Sequence, residues 1–321
     1  GLGDVYKRQI KTNQMKLLLA LIASGLLVTG CAQTEGVQQG SALQSIKTSQ
    51  QITKTPVQEF LQILIAKDAG QVEFNQFVNA HKESKDSRQL AEKKYQELIS
   101  KSLQDLKSVH PRDPEVKRYI DSLLQLSRIL EEGREKQAAI QKNYAQTHKV
   151  SKNQQQELAD ISNRALASYI KAMRVEMALT NRFAAHTTGV LQDFLKTQVL
   201  LNNDLLAVTR AEQQLLNDKT IKSERAFARK AAPLSLTVAQ ESQKAVKALS
   251  SQDNDIQQYI IGLRQYYGFK TQLANLKIKA VKQGKLSPSE VRDAKTALLN
   301  LQRFEESTSK QRLQLLERFA H

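Results

Sequence analysis

The chain has 321 residues, a single cysteine, no tryptophan and a formal net charge of +16 at pH 7. One cysteine excludes a fold held together by intramolecular disulfides, and 12 glycines and 5 prolines exclude a collagen-like or Gly/Pro-rich disordered chain. The abundance of Leu, Ala, Gln, Lys, Arg and Glu, which are strong helix formers, predicts an α-helical protein.

Residues 1–14 precede the first methionine, Met15, and match no targeting pattern. They carry three of the basic residues, Lys7, Arg8 and Lys11. We interpret this segment as translated upstream or adaptor sequence joined to the true reading frame. It is therefore excluded from the fold prediction, and the remaining chain stays strongly basic.

Residues 15–30 have the pattern of a secretory signal peptide, with one cation, Lys16, followed by an apolar stretch at 17–28. A helix rises about 1.5 Å per residue, so this stretch would cover only roughly 18 Å of a hydrocarbon core about 30 Å thick. The stretch is too short for a permanent membrane span and predicts a cleaved signal.

The signal ends in Val28-Thr29-Gly30-Cys31, which resembles the lipobox of bacterial lipoproteins. The resemblance implies a diacylglyceryl group on the Cys31 thiol, cleavage before Cys31 and fatty acylation, such as palmitate, of the new amino group. Two or three acyl chains hold a protein stably at a membrane, whereas one does so only marginally. The alternative is an ordinary signal peptide in which the cysteine is incidental.

Ala32 follows the lipidation site at the position that sorts lipoproteins in Gram-negative bacteria. By the same resemblance, an aspartate there would retain the protein in the inner membrane. We therefore expect the periplasmic face of the outer membrane as the location, with the membrane itself as a partner through lipidated Cys31.

Residues 31–54 are rich in Gln, Ser, Thr and Gly and show no sustained apolar period, which predicts a lipidated flexible tether. Residues 55–321 form the predicted helical domain. Helix starts are indicated by Thr55-Pro56, Asp113-Pro114 and Ser287-Pro288, and Ser287 with Glu290 matches a capping box.

Between these marks we predict helices over 56–69, 73–81, 86–109, 114–148, 151–217, 223–249, 253–284 and 288–319. The fifth is the longest, with a seam of apolar residues at helical spacing: Leu158, Ile161, Ala165, Ala172, Val175 and Leu179. Thr187-Thr188-Gly189 predicts a bend in it, and any division of the domain is placed near Gly189. Pro233 predicts a kink or restart in the sixth.

No β-branched segment with a period of two is bounded by turn residues, so a sheet is not expected. The predicted fold class is all-α: an elongated bundle of long antiparallel helices with coiled-coil-like packing. The composition of this domain resembles that of many helical envelope lipoproteins, and the domain carries no motif that assigns it to a particular family.

The sequence carries few patterns typical of catalytic or metal-binding sites, and we predict no metal site, no cofactor and no enzymatic activity. The five histidines, His81, His110, His148, His186 and His321, lie far apart without metal-ligand spacing. Phosphate-binding loops and nucleophile elbows are absent from the sequence. Neighbours on a helix point about 100° apart, so Glu131-Glu132 and Glu305-Glu306 are interpreted as solvated helix faces rather than catalytic pairs.

Two apolar segments have alternative interpretations. In one, basic residues alternate with aromatic residues that could stack on nucleobases or sugars. This segment contains Arg264, Tyr266, Tyr267, Phe269 and Lys270. We favour a buried aromatic face with snorkelling cations, because the spacing is helical and an exported domain meets little nucleic acid. The other, Met173 and Met177, could line a groove for a partner helix, but bundle core is favoured.

Two basic clusters are candidate contacts for anionic lipid, lipopolysaccharide or peptidoglycan. They comprise Arg225, Arg229 and Lys230, and Lys310, Arg312 and Arg318. A solvated face that only maintains solubility is the alternative interpretation.

Three classes of function remain. A tethered structural or adaptor protein, binding an envelope protein or an anionic envelope polymer, agrees best with the tether, the helices and the charge. A membrane-inserting or pore-forming protein is disfavoured, because no apolar run after Cys31 approaches 18 residues. An enzyme would need a polar site assembled from several helices, and the Glu-x-x-His spacing used by helical bundles is absent.

Overall fold

The computed structural model describes residues 55–81, 87–218, 220–221 and 223–321. Within these ranges every regular element is a helix, which confirms the all-α bundle. The helices are α1 (Pro56–His81), α2 (Ser87–Ser108), α3 (Pro114–Thr147), α4 (Lys152–His186), α5 (Gly189–Asn217), α6 (Glu224–Lys247), α7 (Asn254–Gln283) and α8 (Pro288–Ala320). The upstream segment, the signal peptide, Cys31 and the tether lie outside the described residues.

Side-chain caps begin several helices, as the sequence predicts. Asp113 accepts hydrogen bonds from the backbone N–H groups of Glu115 and Val116 at 2.9 and 3.0 Å. Ser287 and Glu290 form the predicted capping box, in which each side chain accepts from the other residue's backbone N–H. These caps satisfy N–H groups that have no partner inside the helix, and they fix where α3 and α8 begin.

The predicted helix over 151–217 is wrong in one respect, because the chain reverses direction instead of bending. Thr187 and Thr188 have extended backbones, and Gly189 has a φ of 65°, a value that favours glycine. α5 then packs back against α4, and the amide of Asn202 donates to the hydroxyl of Thr180 across the hairpin at 3.2 Å. The apolar period continues on both sides of the turn, so periodicity alone could not reveal it.

Two other predicted helix ends, near Gly70 and at Pro233, are absent from the described helices. α1 runs continuously through Gly70, and its second half is held to α2 by an ion pair between Glu73 and Lys94 at 2.7 Å. α6 contains Pro233 within a single helix and does not restart there. A helical glycine costs about 1 kcal/mol and a proline about 3 kcal/mol, amounts that tertiary packing can offset.

The helices pack in sequence order and the first closes against the last. Within each pair from α3·α4 to α7·α8 the contacts are extensive, and α1 packs against both α2 and α8. The amide of Gln58, near the start of α1, donates to the carbonyl of His321, beyond the end of α8, at 3.3 Å. α1 and α8 are therefore antiparallel, and residues distant in sequence face one another inside the bundle.

The apolar core contains residues from before and after Gly189. Phe60 packs against Tyr119 and Phe183, with ring centroids 5.8 and 5.4 Å apart. Phe194 and Tyr259 belong to the same buried cluster. Of the predicted α4 seam, Leu158, Ile161, Ala165, Ala172 and Leu179 are buried and Val175 is half-buried.

Among the described residues, no helix combines the length and apolar character that crossing a membrane would require.

Candidate functional site: a charged cavity inside the bundle

Most of the surface cations predicted to bind anionic polymers are engaged in ion pairs. Lys230 pairs with Asp218, and Lys310 pairs with Glu306 at 3.0 Å. Arg318 bridges Asp253 and Asp255 at 2.7 and 3.1 Å. Arg229 is exposed, and the side chain of Arg225 lies outside the described set.

Arg312 does not belong to this surface, which corrects the prediction for it. Its guanidinium is directed into the bundle, where it pairs with Asp68 of α1, and only 18% of the side chain is exposed. Arg312 precedes the buried Leu315 and Leu316 by three and four residues, so it shares their face of α8.

The aromatic segment of α7 lies in the interior, in agreement with the favoured interpretation. Tyr267 is fully buried, and Phe269 stacks on Phe304 with ring centroids 5.8 Å apart. Arg264 donates to the carbonyl of Leu249 at 2.6 Å. Lys270 differs from the expected snorkelling cation, because its Nζ points inward and lies 2.7 Å from Asp204 Oδ2. Met173, the first of the methionine pair, is also buried.

The two acidic doublets have different environments. Glu131 and Glu132 are exposed, and Glu132 pairs with Arg164 of α4 at 2.5 Å, as expected for a solvated face. That expectation is wrong for Glu305, which is only 9% exposed, while Glu306 faces Lys310. The angle of about 100° between neighbouring helical residues places the two side chains in different surroundings.

A cavity of about 340 Å³ lies within the bundle. Its walls come from α1, α3, α4, α5, α7 and α8. Among the described lining residues, three are cations and four are carboxylic acids: Lys67, Lys270 and Arg312, and Asp68, Glu176, Asp204 and Glu305. The remaining wall is largely apolar and aromatic and includes Leu123, Tyr169, Ala172, Met173, Leu201, Leu205, Val208, Tyr259, Leu263, Tyr266 and Tyr267.

The first ion pair of the cavity joins α1 and α4. Lys67 Nζ lies 2.6 Å from Glu176 Oε2, and the Tyr119 hydroxyl of α3 donates to the same oxygen. Burial by itself would raise the pKa of Glu176, but the positive charges of Lys67 and Arg312, with the two hydrogen bonds, hold that pKa below its ordinary value. Glu176 is therefore a carboxylate at neutral pH.

The second ion pair joins α8 to α1 and α5. Arg312 pairs with Asp68 through one guanidinium nitrogen, and its Nε donates to Gln198 Oε1 at 2.5 Å. Gln198 in turn donates to the hydroxyl of Thr197 at 3.0 Å. Burial would lower the pKa of Arg312, but the negative charge of Asp68 raises it above its ordinary value, so the guanidinium keeps its charge.

The third ion pair joins α7 and α5. Asp204 accepts from Lys270 at 2.7 Å and from the hydroxyl of Ser242 on α6 at 2.6 Å. Lys270 Nζ also lies over the rings of Tyr266 and Tyr267, 5.9 and 5.4 Å from their centroids. The ammonium group therefore has both a carboxylate and two aromatic faces as partners.

Glu305 is the fourth carboxyl group, and it differs from the other three. Its Oε1 is buried and has no hydrogen-bond partner among the described residues. Burial raises the pKa of Glu305 to about 8, although the nearby charge of Lys270 acts in the opposite direction. Protonated at neutral pH, Glu305 leaves three cations balanced by three carboxylates.

Comparisons of the chain with protein-family models, with curated proteins and with solved structures gave no match.

Four charged residues of the cavity, Lys67, Asp68, Glu176 and Asp204, were not predicted as site residues, although one signal for Glu176 was present in the sequence. Glu176 follows Ala172 by four residues and precedes Leu179 by three, which places a carboxylate on the apolar seam of α4. Charged residues on an apolar face are seldom buried unless they are paired. The signal marks Glu176 as an interior charge, but its partner Lys67 is 109 residues away and could not be identified from spacing.

The metal prediction concerns the same set of side chains. Among the described residues, no group of three or more His, Cys, Asp or Glu side chains is arranged to hold a metal ion. The carboxylates of the cavity are instead directed at Lys and Arg.

Proposed function

We propose that this protein is a lipid-anchored bacterial envelope lipoprotein whose helical bundle binds a small organic molecule in its cavity without catalysing a reaction on it. The sequence Val28-Thr29-Gly30-Cys31 supports the lipid anchor, and Ala32 supports the periplasmic face of the outer membrane as the location. The single observation that carries the binding role is the cavity of about 340 Å³ lined by residues of six helices.

Protein interiors are close-packed and contain few voids larger than a water molecule. The cavity volume of about 340 Å³ falls at the lower end of the roughly 300–1,000 Å³ of ligand pockets. Its walls also have the usual composition of such pockets, mostly apolar and aromatic with a few fixed polar groups. A cavity of this size and lining supports a binding role better than a purely structural one.

The ion pairs in the walls point in the same direction. Buried pairs contribute little net stability, because the cost of removing two charges from water offsets their attraction. Apolar residues of similar volume in place of Lys67 and Glu176, or of Arg312 and Asp68, would stabilise the packing of these helices equally well. The pairs instead give the cavity fixed charges and hydrogen-bonding groups, which orient a ligand.

An enzyme in this fold would need a polar site assembled from several helices, and the cavity has such a site, since six helices contribute to its walls. Binding without chemistry is favoured because the three cations and three of the four carboxyl groups engage one another. The fourth carboxyl group, Glu305, has no hydrogen-bond partner for Oε1 among the described residues, so it lacks the adjacent group that orients a catalytic acid or base.

The adaptor alternative is tested by crosslinking in intact cells, followed by purification through a carboxy-terminal tag at low and moderate salt. One dominant protein partner, retained as the salt rises, would support an adaptor. Sacculus or lipopolysaccharide that is lost with salt would support a module for anionic polymers.

Ala172→Leu is expected to abolish ligand binding. Ala172 is 2% exposed and lines the cavity, so the larger side chain occupies space that the ligand needs. The measurement is mass spectrometry of small molecules released by denaturing the full-length protein purified from membranes of its native host. The wild type should release close to one equivalent of a single compound and the variant almost none.

Ala178→Leu is the matched control, because Ala178 lies on the exposed face of the same helix. It should release as much compound as the wild type. Release of nothing from the wild type, or of equal amounts from both variants, would overturn the binding role.

Cys31→Ser is expected to remove the protein from the membrane. The serine hydroxyl is not a substrate for thioether formation, so the variant should remain unprocessed and lose its acyl chains. Flotation of outer-membrane fractions from cells expressing either form measures the effect. An unprocessed variant that floats in equal amount with these fractions would show that the lipobox interpretation is wrong.

A further inference from the structure

The cavity has four carboxyl groups but only three cations among its described lining residues. Each of the three cations, Lys67, Lys270 and Arg312, already has a carboxylate partner within the walls. Glu305 is left over, with Oε1 buried and without a hydrogen-bond partner among the described residues. The buried hydroxyl of Tyr267 also has no hydrogen-bond partner among the described residues, but it carries no charge. The cavity thus offers an entering molecule one carboxyl group without an ion-pair partner and no free basic group among the described lining residues.

This inequality discriminates between ligand charges. An anion would have to displace Glu176, Asp68 or Asp204 from an existing ion pair, and the displaced carboxylate would then be buried alone. A cation would displace nothing, and it would supply the partner that Glu305 lacks. A neutral molecule could fill the cavity, but it would give the buried Oε1 at most an uncharged hydrogen-bond partner, which contributes less than a charged one.

We infer that the cavity selects an organic cation, an amine with an apolar body, whose ammonium group pairs with Glu305. The apolar body lies against wall residues such as Met173, Leu201, Leu205 and Leu263. This inference rests on the proposed binding function and adds the chemical class of the ligand.

The step is balanced by a proton. When the ammonium group binds, the Glu305 carboxyl gives its proton to the buffer and becomes the carboxylate of the new ion pair. The ionisable groups facing the same cavity are Tyr266 and Lys270 of α7, Asp204 of α5, Glu176 of α4, and Lys67 and Asp68 of α1. Arg312 of α8, with Tyr259 and Tyr267 of α7 and Tyr169 of α4, completes the set. The Lys and Arg among them are paired, so the exchanged proton is assigned to Glu305.

The test uses three probes of one shape and different charge: n-octylamine, n-octanol and octanoate. Isothermal titration calorimetry of the delipidated full-length chain should show octylamine binding roughly tenfold or more tightly than octanol, since a hydrogen bond between charged groups contributes about that factor. Octanoate should bind most weakly. Titrations at neutral pH in two buffers of different ionisation enthalpy should show close to one proton released per octylamine bound.

Glu305→Gln is the decisive variant, since its neutral amide resembles the protonated carboxyl and should preserve the fold. It should reduce octylamine affinity to that of octanol, abolish proton release and leave octanol affinity unchanged. Glu306→Gln, one residue further along α8 and paired with Lys310 outside the cavity, should behave like the wild type.

The outcomes separate the two proposals. Octylamine that binds no better than octanol, or equally well to Glu305→Gln, overturns selection of a cation. In that case, octanol or octanoate binding that Ala172→Leu abolishes would leave the binding function intact. Failure of all three probes, together with no compound released from the native protein, would overturn both.

Discussion

The free energy of unfolding of the wild-type protein is expected to fall as the pH rises from about 5 to 8, and Glu305→Gln is expected to abolish the part of this fall that Glu305 causes. The pKa of Glu305 is about 8 in the folded protein, compared with an ordinary value of 4.5. Between these values the folded state binds more protons than the unfolded state, so the free energy of unfolding falls with rising pH. The contribution is fully present below about pH 4.5 and is lost through about pH 8.

One pKa unit corresponds to about 1.4 kcal/mol, so the loss amounts to roughly 4 kcal/mol over three units. Urea denaturation of both proteins at a series of pH values measures it. Because the two proteins differ only at position 305, the difference between the two curves isolates the contribution of Glu305. A difference that does not change between about pH 5 and pH 8 would show that Glu305 is ionised in the folded protein.

Glu176→Gln is expected to destabilise the bundle by about 3 kcal/mol at neutral pH, because it leaves the ammonium group of Lys67 inside the bundle without a countercharge. Glu176 is 5% exposed, and its Oε2 lies 2.6 Å from Lys67 Nζ. The Tyr119 hydroxyl keeps an acceptor in the glutamine variant, so the effect reports mainly the lost charge. Denaturation in urea at pH 7 gives the change in unfolding free energy.

Glu132→Gln provides the surface comparison, since Glu132 also belongs to an ion pair, here with Arg164, but lies in solvent. An exposed ion pair contributes between zero and about 1 kcal/mol, so this variant should change stability very little. Adding Lys67→Met to Glu176→Gln should recover much of the stability by removing the uncompensated charge. Equal effects of Glu132→Gln and Glu176→Gln would contradict a buried pair.

The polar interior has a consequence for the stability of the whole bundle. Long helices of this composition could pack around an entirely apolar centre, and such a core would be at least as stable. The three pairs instead connect α1 with α4, α8 with α1, and α7 with α5. They link these helices across the cavity. Loss of one partner in a pair leaves the other as a buried charge without a countercharge, which is strongly destabilising.

Much of the fold follows from local sequence. The helix class, the starts at Asp113 and Ser287 and the buried seam of α4 depend on propensity, capping and periodicity, and each of these acts over only a few residues. The structure confirms these features, because local interactions do not depend on which helices become neighbours. The reversal at Thr187-Thr188-Gly189 was less evident, because the apolar period is the same on both sides of the turn.

Other features depend on which helices become neighbours. Periodicity could indicate that Glu176 shares the face of Ala172 and Leu179, but its partner Lys67 is brought to it only by the packing of the bundle. Glu305 and Glu306 are adjacent residues with the same side chain, but Glu305 is buried without a partner for Oε1 among the described residues, whereas Glu306 pairs with Lys310. Sequence alone determined the helical class and most helix starts, and the lipobox-like pattern at Cys31 is a prediction from sequence alone. Tertiary structure decided where the charges meet, because a countercharge from another helix or its absence sets the state of a buried carboxyl group.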